Sequence, residues 1–305
     1  MEFSHISVLF QETIDSLDIK NDGLYVDCTC GGAGHSKAIL ELIPDGTLVA
    51  IDRDPDAIEV ITERIGNSPQ VEIVNDIFGN IKKIMNGRKA DGILADLGVS
   101  SFQLDTPERG FSFHHDAPLD MRMSKSGKSA FDVVNGYSEQ ELANIIFKYG
   151  EDKFAKSIAR NIVKAREEKN IETTIELAEI IKNSVPQKVR RDGHPARKTF
   201  QAIRIEVNDE LSTLSQAVED MFGCLKVGGR LSIITFHSLE DRTVKEKFRE
   251  FTNGCTCPKE FPVCVCGNTP RGKLINKGIS ASKNELDANN RSRSARLRTI
   301  EKLKD

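Results

Sequence analysis

Residues 24–42 constrain this chain more than any other stretch. Leu24-Tyr25-Val26-Asp27 is a short apolar run that passes into Cys28-Thr29-Cys30-Gly31-Gly32-Ala33-Gly34, and a helical pattern follows from Ser36 to Leu42. Gly31, Gly32 and Gly34 lack a Cβ, so they reach positive φ and admit a ligand close to the backbone. A helix that opens directly behind them aims unpaired N–H groups at that ligand. Thr47-Leu48-Val49-Ala50-Ile51 reads as a second strand closed by Asp52. Asp54-Pro55 starts the next helix, with Asp54 at the N-cap and Pro55 at the first helical position. Strand, glycine turn, helix and strand in this order build an open α/β sheet that holds a nucleotide-like cofactor.

The ligand class is narrowed by spacing. An acidic residue closing the second strand, about 20 residues past the glycines, accepts hydrogen bonds from ribose hydroxyls, and Asp52 takes that place. The dinucleotide fingerprint G-x-G-x-x-G fails, because counting from Gly32 puts Lys37 at the third glycine position. A nicotinamide dehydrogenase is therefore disfavoured and S-adenosylmethionine favoured. A glycine turn with a purely structural role is the alternative. The phosphate loop G-x4-G-K-[ST] is absent.

Three further strands point at the same edge. Val71–Asp76 is the third strand, and Phe78 beyond it lies over a flat ring or in the core. Asp91–Ala95 is a buried strand that delivers Asp96 to the carboxyl edge, where open α/β sheets bind ligands. Methyl transfer to an amine needs a hydrogen-bond acceptor beside the nucleophile and a methyl held in line. Asp96 suits the acceptor role; its alternative is a helix N-cap. Gln103 follows closely enough to touch cofactor or base. Leu231–Phe236 is another buried strand and delivers His237 to this edge, as a base, a base-reader or a structural partner.

Between these strands the chain changes character. Residues 104–130 are rich in Gly, Pro, Asp, Arg and Ser without a period, which predicts a mobile substrate-facing loop. Glu139–Tyr149, Lys153–Glu168 and Thr174–Asn183 show helical spacing. Ser138 with Glu141 resembles a capping box, and Thr173 or Thr174 caps the third helix. These features predict a catalytic domain from residues 1–104 and 206–305, and an inserted loop plus helical substrate-recognition domain over 105–205. Phe200–Leu225 reads as one long helix returning to the first domain, and Leu225–Arg230 as its stop and turn. Lys273–Ile279 and Ala295–Leu303 read as a closing antiparallel pair.

The net charge of −3 over 305 residues does not announce nucleic-acid binding, so any basic footprint is local. Two candidates stand out. Lys188, Arg190, Arg191, His194, Arg197, Lys198 and Arg204 form one basic stretch; Arg291, Arg293, Arg296 and Arg298 form another. Both suit phosphate contact, and a solvated charged face is the alternative. No apolar run approaches the ~20 residues of a membrane span, and the N-terminus lacks a basic region followed by an apolar core, so a cytoplasmic protein is expected. The seven cysteines are then expected as free thiols. Cys28 and Cys30 suit small buried hydrophobes. Cys255, Cys257, Cys264 and Cys266 could together hold zinc, but C-x-C is tighter than the common C-x2-C; reduced loop cysteines are favoured and no metal site is assigned. Oligomeric state is not fixed; a homodimer is one state open to the chain.

Several ordered motifs resemble one family along nearly the whole chain. They are Asp27-Cys28-Thr29 with Gly34-His35-Ser36, Ile51-Asp52-Arg53-Asp54-Pro55, Asp96-Leu97-Gly98-Val99-Ser100-Ser101 with Gln103-Leu104-Asp105, and Arg109-Gly110-Phe111-Ser112-Phe113. Pro118–Met123, Tyr149-Gly150-Glu151, His194-Pro195-Ala196, Phe200-Gln201-Ala202, Phe236–Arg242 and Arg291–Ala295 continue the series. In these the chain resembles the bacterial cytosine-N4 methyltransferases of small-subunit ribosomal RNA, the MraW or RsmH family. Ser7 and Phe102 stand where that family often has proline.

The resemblance implies a Rossmann-like class I methyltransferase sheet with an inserted all-helical domain. It also implies S-adenosylmethionine-dependent N4-methylation of a cytidine in the decoding region, with small-subunit RNA as partner. Cofactor contacts carried over by motif are Ala33, Gly34, His35, Asp52, Phe78, Asp96 and Gln103. Asp96 is the first catalytic candidate; His237, Asp120 and Asp241 are secondary. Arg190, Arg191, Arg197, Lys198, Arg291 and Arg293 are the RNA-contact candidates. A small-molecule methyltransferase and a catalytically silent RNA-binding assembly factor are the rival readings.

Overall fold

A computed structural model describes residues 7–188, 194–255, 257–258 and 260–305, with the backbone alone at Ser101. The chain forms two compact units, one from residues up to Gly98 together with Leu211–Asp305 and one from Val99–Glu210.

The first leg of the sheet-bearing unit comprises α1 (Phe10–Leu17), β1 (Leu24–Asp27), α2 (Gly34–Leu42) and β2 (Thr47–Asp52), followed by α3 (Pro55–Ile65), β3 (Val71–Asn75), α4 (Ile81–Met85) and β4 (Ala90–Asp96). Strands β1, β2 and β4 are almost continuously buried, as expected where helices cover both faces of a parallel sheet. Asp54 caps α3 by accepting from the Asp56 N–H at 3.1 Å, with Pro55 directly after it.

The inserted unit carries α5 (Ser101–Asp105), α6 (Ala130–Gly136), α7 (Glu139–Gly150), α8 (Ala155–Arg166), α9 (Thr174–Asn183) and α10 (Ala196–Asn208). Reciprocal capping boxes at Ser129/Asp132, Ser138/Glu141 and Thr173/Glu176 start three of these helices. The segment expected as a mobile, substrate-facing loop is instead packed into this unit's core. Phe111, Ala117, Leu119, Met121 and Met123 are buried. The buried Arg109 guanidinium donates to the carbonyls of Arg122 and Met123 at 2.9 and 3.0 Å. Asn208 closes the same segment from α10, accepting from the Met123 N–H and donating to the Met121 carbonyl. Side chains rather than a regular ladder satisfy this backbone, so the sequence shows no period there.

The predicted long helix over 200–225 is broken. α10 ends where Asp209 turns left-handed at φ 53°, and α11 (Leu214–Gly223) starts afresh in the sheet-bearing unit. The expected stop and turn at 225–230 is part of β5 (Leu225–Thr235). Leu225 pairs with Ala90 but Arg230 pairs with Gly92, so β5 carries a bulge. Gly228 supplies φ +83° there, and a Cβ on Gly229 would meet three carbonyl oxygens at 3.0 Å. After α12 (Ser238–Thr252), the strand expected over 273–279 is two pieces, β6 (Gly272–Leu274) and β7 (Ile279–Ser280), parted where Gly278 adopts φ +120°. α13 (Lys283–Ala288) and β8 (Arg296–Lys302) finish the unit.

The sheet order is β3-β2-β1-β4-β5-β8-β6, with β7 also on β8. The first five strands are parallel, and β8 enters antiparallel to β5 and to β6 and β7. One polar seam crosses its interior: Ser16, Ser232 and Thr299 share hydroxyl hydrogen bonds of 2.9 and 3.0 Å, all buried. Among the described residues no helix is long and apolar enough to cross a membrane.

Candidate active site

Parallel register brings three carboxylates to one edge of the sheet, because β1 ends at Asp27, β2 at Asp52 and β4 at Asp96. Asp27 is 1% exposed. It accepts from the Ser36 hydroxyl at 2.6 Å and the Thr29 N–H at 3.2 Å. Burial pushes its carboxyl up to about 6; Ser36 and Thr29 pull it back, and the charge of Asp52 adds to the rise.

Asp52 organises the glycine turn. One of its oxygens accepts from the Gly31 N–H at 2.8 Å and the other from the Asp54 N–H at 2.9 Å. Burial raises this carboxyl to about 6 as well, against those two donors. Gly31 has φ +46°, and Ala33 is left-handed at φ 64°. Ala33 is the N-cap of α2 and supplies no side-chain hydrogen bond, so the first-turn N–H groups of α2 lack a side-chain cap. Gly34, at the first position of α2, sits where a Cβ would collide with Ser7.

Asp96 closes the edge. Its main-chain N–H donates to Thr29 Oγ1 at 2.6 Å. Its Oδ2 lies 3.8 Å from His35 Nδ1, and its Oδ1 has no hydrogen-bond partner among the described residues. Burial raises its pKa well above the ordinary carboxylate range, and the charges of Asp27 and Glu240 push it further. A carboxylate of this kind is a stronger proton acceptor than a solvated one. His35 is buried and stacks on Phe10, with ring centres 5.8 Å apart. The helix that follows Asp96 is capped by Ser100, so the N-cap alternative for Asp96 is not realised.

The remaining residues named from the sequence fall into separate settings. Phe78 opens a short 3-10 turn after β3 and is half-buried against the core. His237 is the N-cap of α12: its Nδ1 accepts from the Glu240 N–H at 3.4 Å, and its Nε2 lies 3.2 Å from Glu240 Oε1. Asp241 holds Arg298 through two hydrogen bonds of 2.7 and 3.0 Å. That arginine is buried, so it leaves the basic patch expected there. Arg291, Arg293 and Arg296 are exposed.

Within the inserted unit Gln103 is buried and completes the α5 capping box, accepting from the Ser100 N–H at 3.0 Å. Asp120 pairs with Arg122 at 2.6 Å, which helps draw its carboxyl below its ordinary value against partial burial. Arg197 and Lys198 are exposed on α10, and Lys198 reaches the Glu151 carbonyl at 3.0 Å. Arg204 is taken up by Glu210 at 2.8 Å. Arg190 and Arg191 lie outside the described residues.

The sequence assigns no roles to Thr29, Ser36 and Phe10. Their partners are 67, 9 and 25 positions away, at Asp96, Asp27 and His35. Only the nearness of Thr29 and Ser36 to the glycine turn hinted at them.

The profile of the MraW methylase family matches residues 2–303. Two curated relatives, both called ribosomal RNA small subunit methyltransferase H, come from Clostridium botulinum strains Kyoto (Type A2) and Loch Maree (Type A3). Each is 56% identical over 99% of this chain and 100% of its own. Among solved structures, a putative rRNA-methylase from Clostridium thermocellum aligns over 98% of this chain and 100% of its own, at 13% identity and a TM-score of 0.46; a likeness of that size carries no functional weight. Matched by the profile over residues 2–303 and by relatives at this identity over 99% of its length, the chain belongs to the MraW methylase family.

Proposed function

We propose that this protein uses S-adenosylmethionine to methylate N4 of a cytidine in the decoding region of small-subunit ribosomal RNA, with Asp96 as the group that accepts from the attacking amine. The substrate class follows from the names of the curated relatives, whose sequences run the length of this one. The observation that carries the residue assignment is the raised, half-buried Asp96 carboxylate with Oδ1 unengaged at the carboxyl edge. A cytoplasmic location is part of this reading, and a ribosomal RNA substrate supports it.

The residues present fit the cofactor. Asp52 keeps free lone pairs beside its two backbone donors and suits ribose hydroxyls. The first turn of α2, without a side-chain cap, suits a carboxylate. Ala33, Gly34, His35, Phe78 and Gln103 are carried over as cofactor contacts by motif. Bound there, the cofactor supplies an electrophilic methyl on a sulfonium.

The chain's own work is on the base. The exocyclic amine of cytosine is conjugated with its ring and is a poor nucleophile. An acceptor on its N–H restores lone-pair density as the methyl arrives, and a carboxylate with a raised pKa takes the proton more readily. His237, fastened by Glu240, positions the edge beside Asp96; Asp120, held by Arg122, shapes its own unit. The inserted unit serves substrate recognition: Arg197 and Lys198, with Arg190 and Arg191, and separately Arg291 and Arg293, contact phosphates. These contacts offset the few kcal/mol needed to take the base out of its stack.

The test uses labelled S-adenosylmethionine and small subunits from cells lacking the gene, with nucleoside analysis of the digested RNA. Label in N4-methylcytidine is expected. Asp96→Asn is expected to bind the cofactor and lose turnover by about 100-fold or more. Near-normal turnover in Asp96→Asn sinks the acceptor assignment; label in another nucleoside sinks the substrate.

A further inference from the structure

We propose that Cys255, Cys257, Cys264 and Cys266 hold one structural zinc ion, in a loop of the sheet-bearing unit between α12 and β6. All four sulfurs lie within 4.8 Å of one another. The pairs 255–264, 264–266 and 266–255 stand 3.4, 3.5 and 3.9 Å apart. Tetrahedral zinc at about 2.3 Å from each thiolate sets the sulfur–sulfur edge at about 3.8 Å. The observed spacings bracket that edge, so an ion fits with small adjustments. The Val265 N–H donates to Cys257 Sγ at 3.3 Å, the kind of backbone donor that orients a metal-bound thiolate.

Apolar collapse does not account for this convergence. Phe261, Val263 and Val265 are 52%, 70% and 72% exposed. Among the described residues from Cys255 to Pro270 none is buried and none lies in a helix or strand. A segment without a core needs another staple to hold one shape. The loop's two stems are already brought together: a Cβ on Gly254 would collide with the backbone of Thr269 and Pro270, and the Arg271 N–H donates to the Phe251 carbonyl at 2.8 Å. The two C-x-C pairs face each other across that closed base. Four sulfur donors in a tetrahedral set favour zinc or an iron centre. Zinc is the structural choice where all four positions are filled by protein and no place is open for chemistry.

The experiment is elemental analysis of the full-length protein purified without chelator, paired with thiol titration by an organomercurial. We expect about one zinc per chain, released in step with modification of four thiols. Cys255→Ser with Cys264→Ser is expected to drop the zinc more than tenfold, while Cys224→Ala, which changes a buried thiol outside the loop, keeps it. If the double variant does not fold, the wild-type metal content and its coupled release still decide. Iron in place of zinc, four readily titrated thiols with no metal, or zinc that survives the double substitution would each overturn the assignment.

Discussion

Thr29 Oγ1 accepts the main-chain N–H of Asp96 at 2.6 Å, while the Thr29 N–H donates to Asp27. One residue thus fastens the carboxyl ends of β1 and β4 to each other. Thr29→Val keeps the shape and removes the acceptor, so the Asp96 N–H loses its partner. A loss of about 1–3 kcal/mol is expected, read by urea unfolding. Turnover should fall more than cofactor affinity, and Thr29→Ser should restore both. A loss in Thr29→Ser with none in Thr29→Val would point to packing of the methyl instead.

Asp27 carries a pH dependence of defined sign. Its folded pKa of about 6 exceeds the unfolded value near 4. The neutral form is therefore the one the fold prefers. The group imposes no penalty below about pH 4, and stability is lost as pH rises from about 4 through 6. Asp27→Asn keeps one acceptor oxygen, for Ser36, and sets its NH2 against the Thr29 N–H, so the titration shows as a change with pH: the variant should gain on wild type by about 2–3 kcal/mol between about pH 4 and 7. Urea midpoints at pH 4.5 and 7 check it, at about those two values. A constant difference between variant and wild type would show that the titration lies elsewhere.

Ala33 tests the turn itself. It is buried at φ 64°, a conformation that a β-branched side chain adopts at high cost. Ala33→Val is expected to destabilise by about 2 kcal/mol or more and to weaken cofactor binding measured by calorimetry. Unchanged affinity would mean that the first turn of α2 does not meet the cofactor.

The two kinds of arginine near the C-terminus should separate cleanly. Arg291 and Arg293 are exposed, so changing both to Ala should leave the thermal midpoint in place. RNA binding should weaken for all sequences, with the salt slope smaller by about 1 for each phosphate no longer neutralised. Arg298→Ala strands the Asp241 carboxylate and is expected to destabilise the fold by about 2 kcal/mol. An unchanged salt slope in the double variant would remove this patch from the RNA-binding surface.

What the sequence by itself determined is local. The glycine turn, the Asp54-Pro55 start of α3 and the caps at Ser138 and Thr173 are each written within three or four residues, because caps and turns satisfy neighbouring backbone groups. The ordered motifs carried the family from the same contiguous stretches. Tertiary structure decided the rest. The bulge in β5 depends on its register against Ala90 and Gly92, and the packing of 106–129 depends on Arg109 and Asn208 reaching backbone far along the chain. The Asp96 N–H finds Thr29 across 67 positions, and four sulfurs converge only when the loop stems close. Register, burial and convergence are set by which segments share a core, and no short stretch of sequence records its distant neighbour.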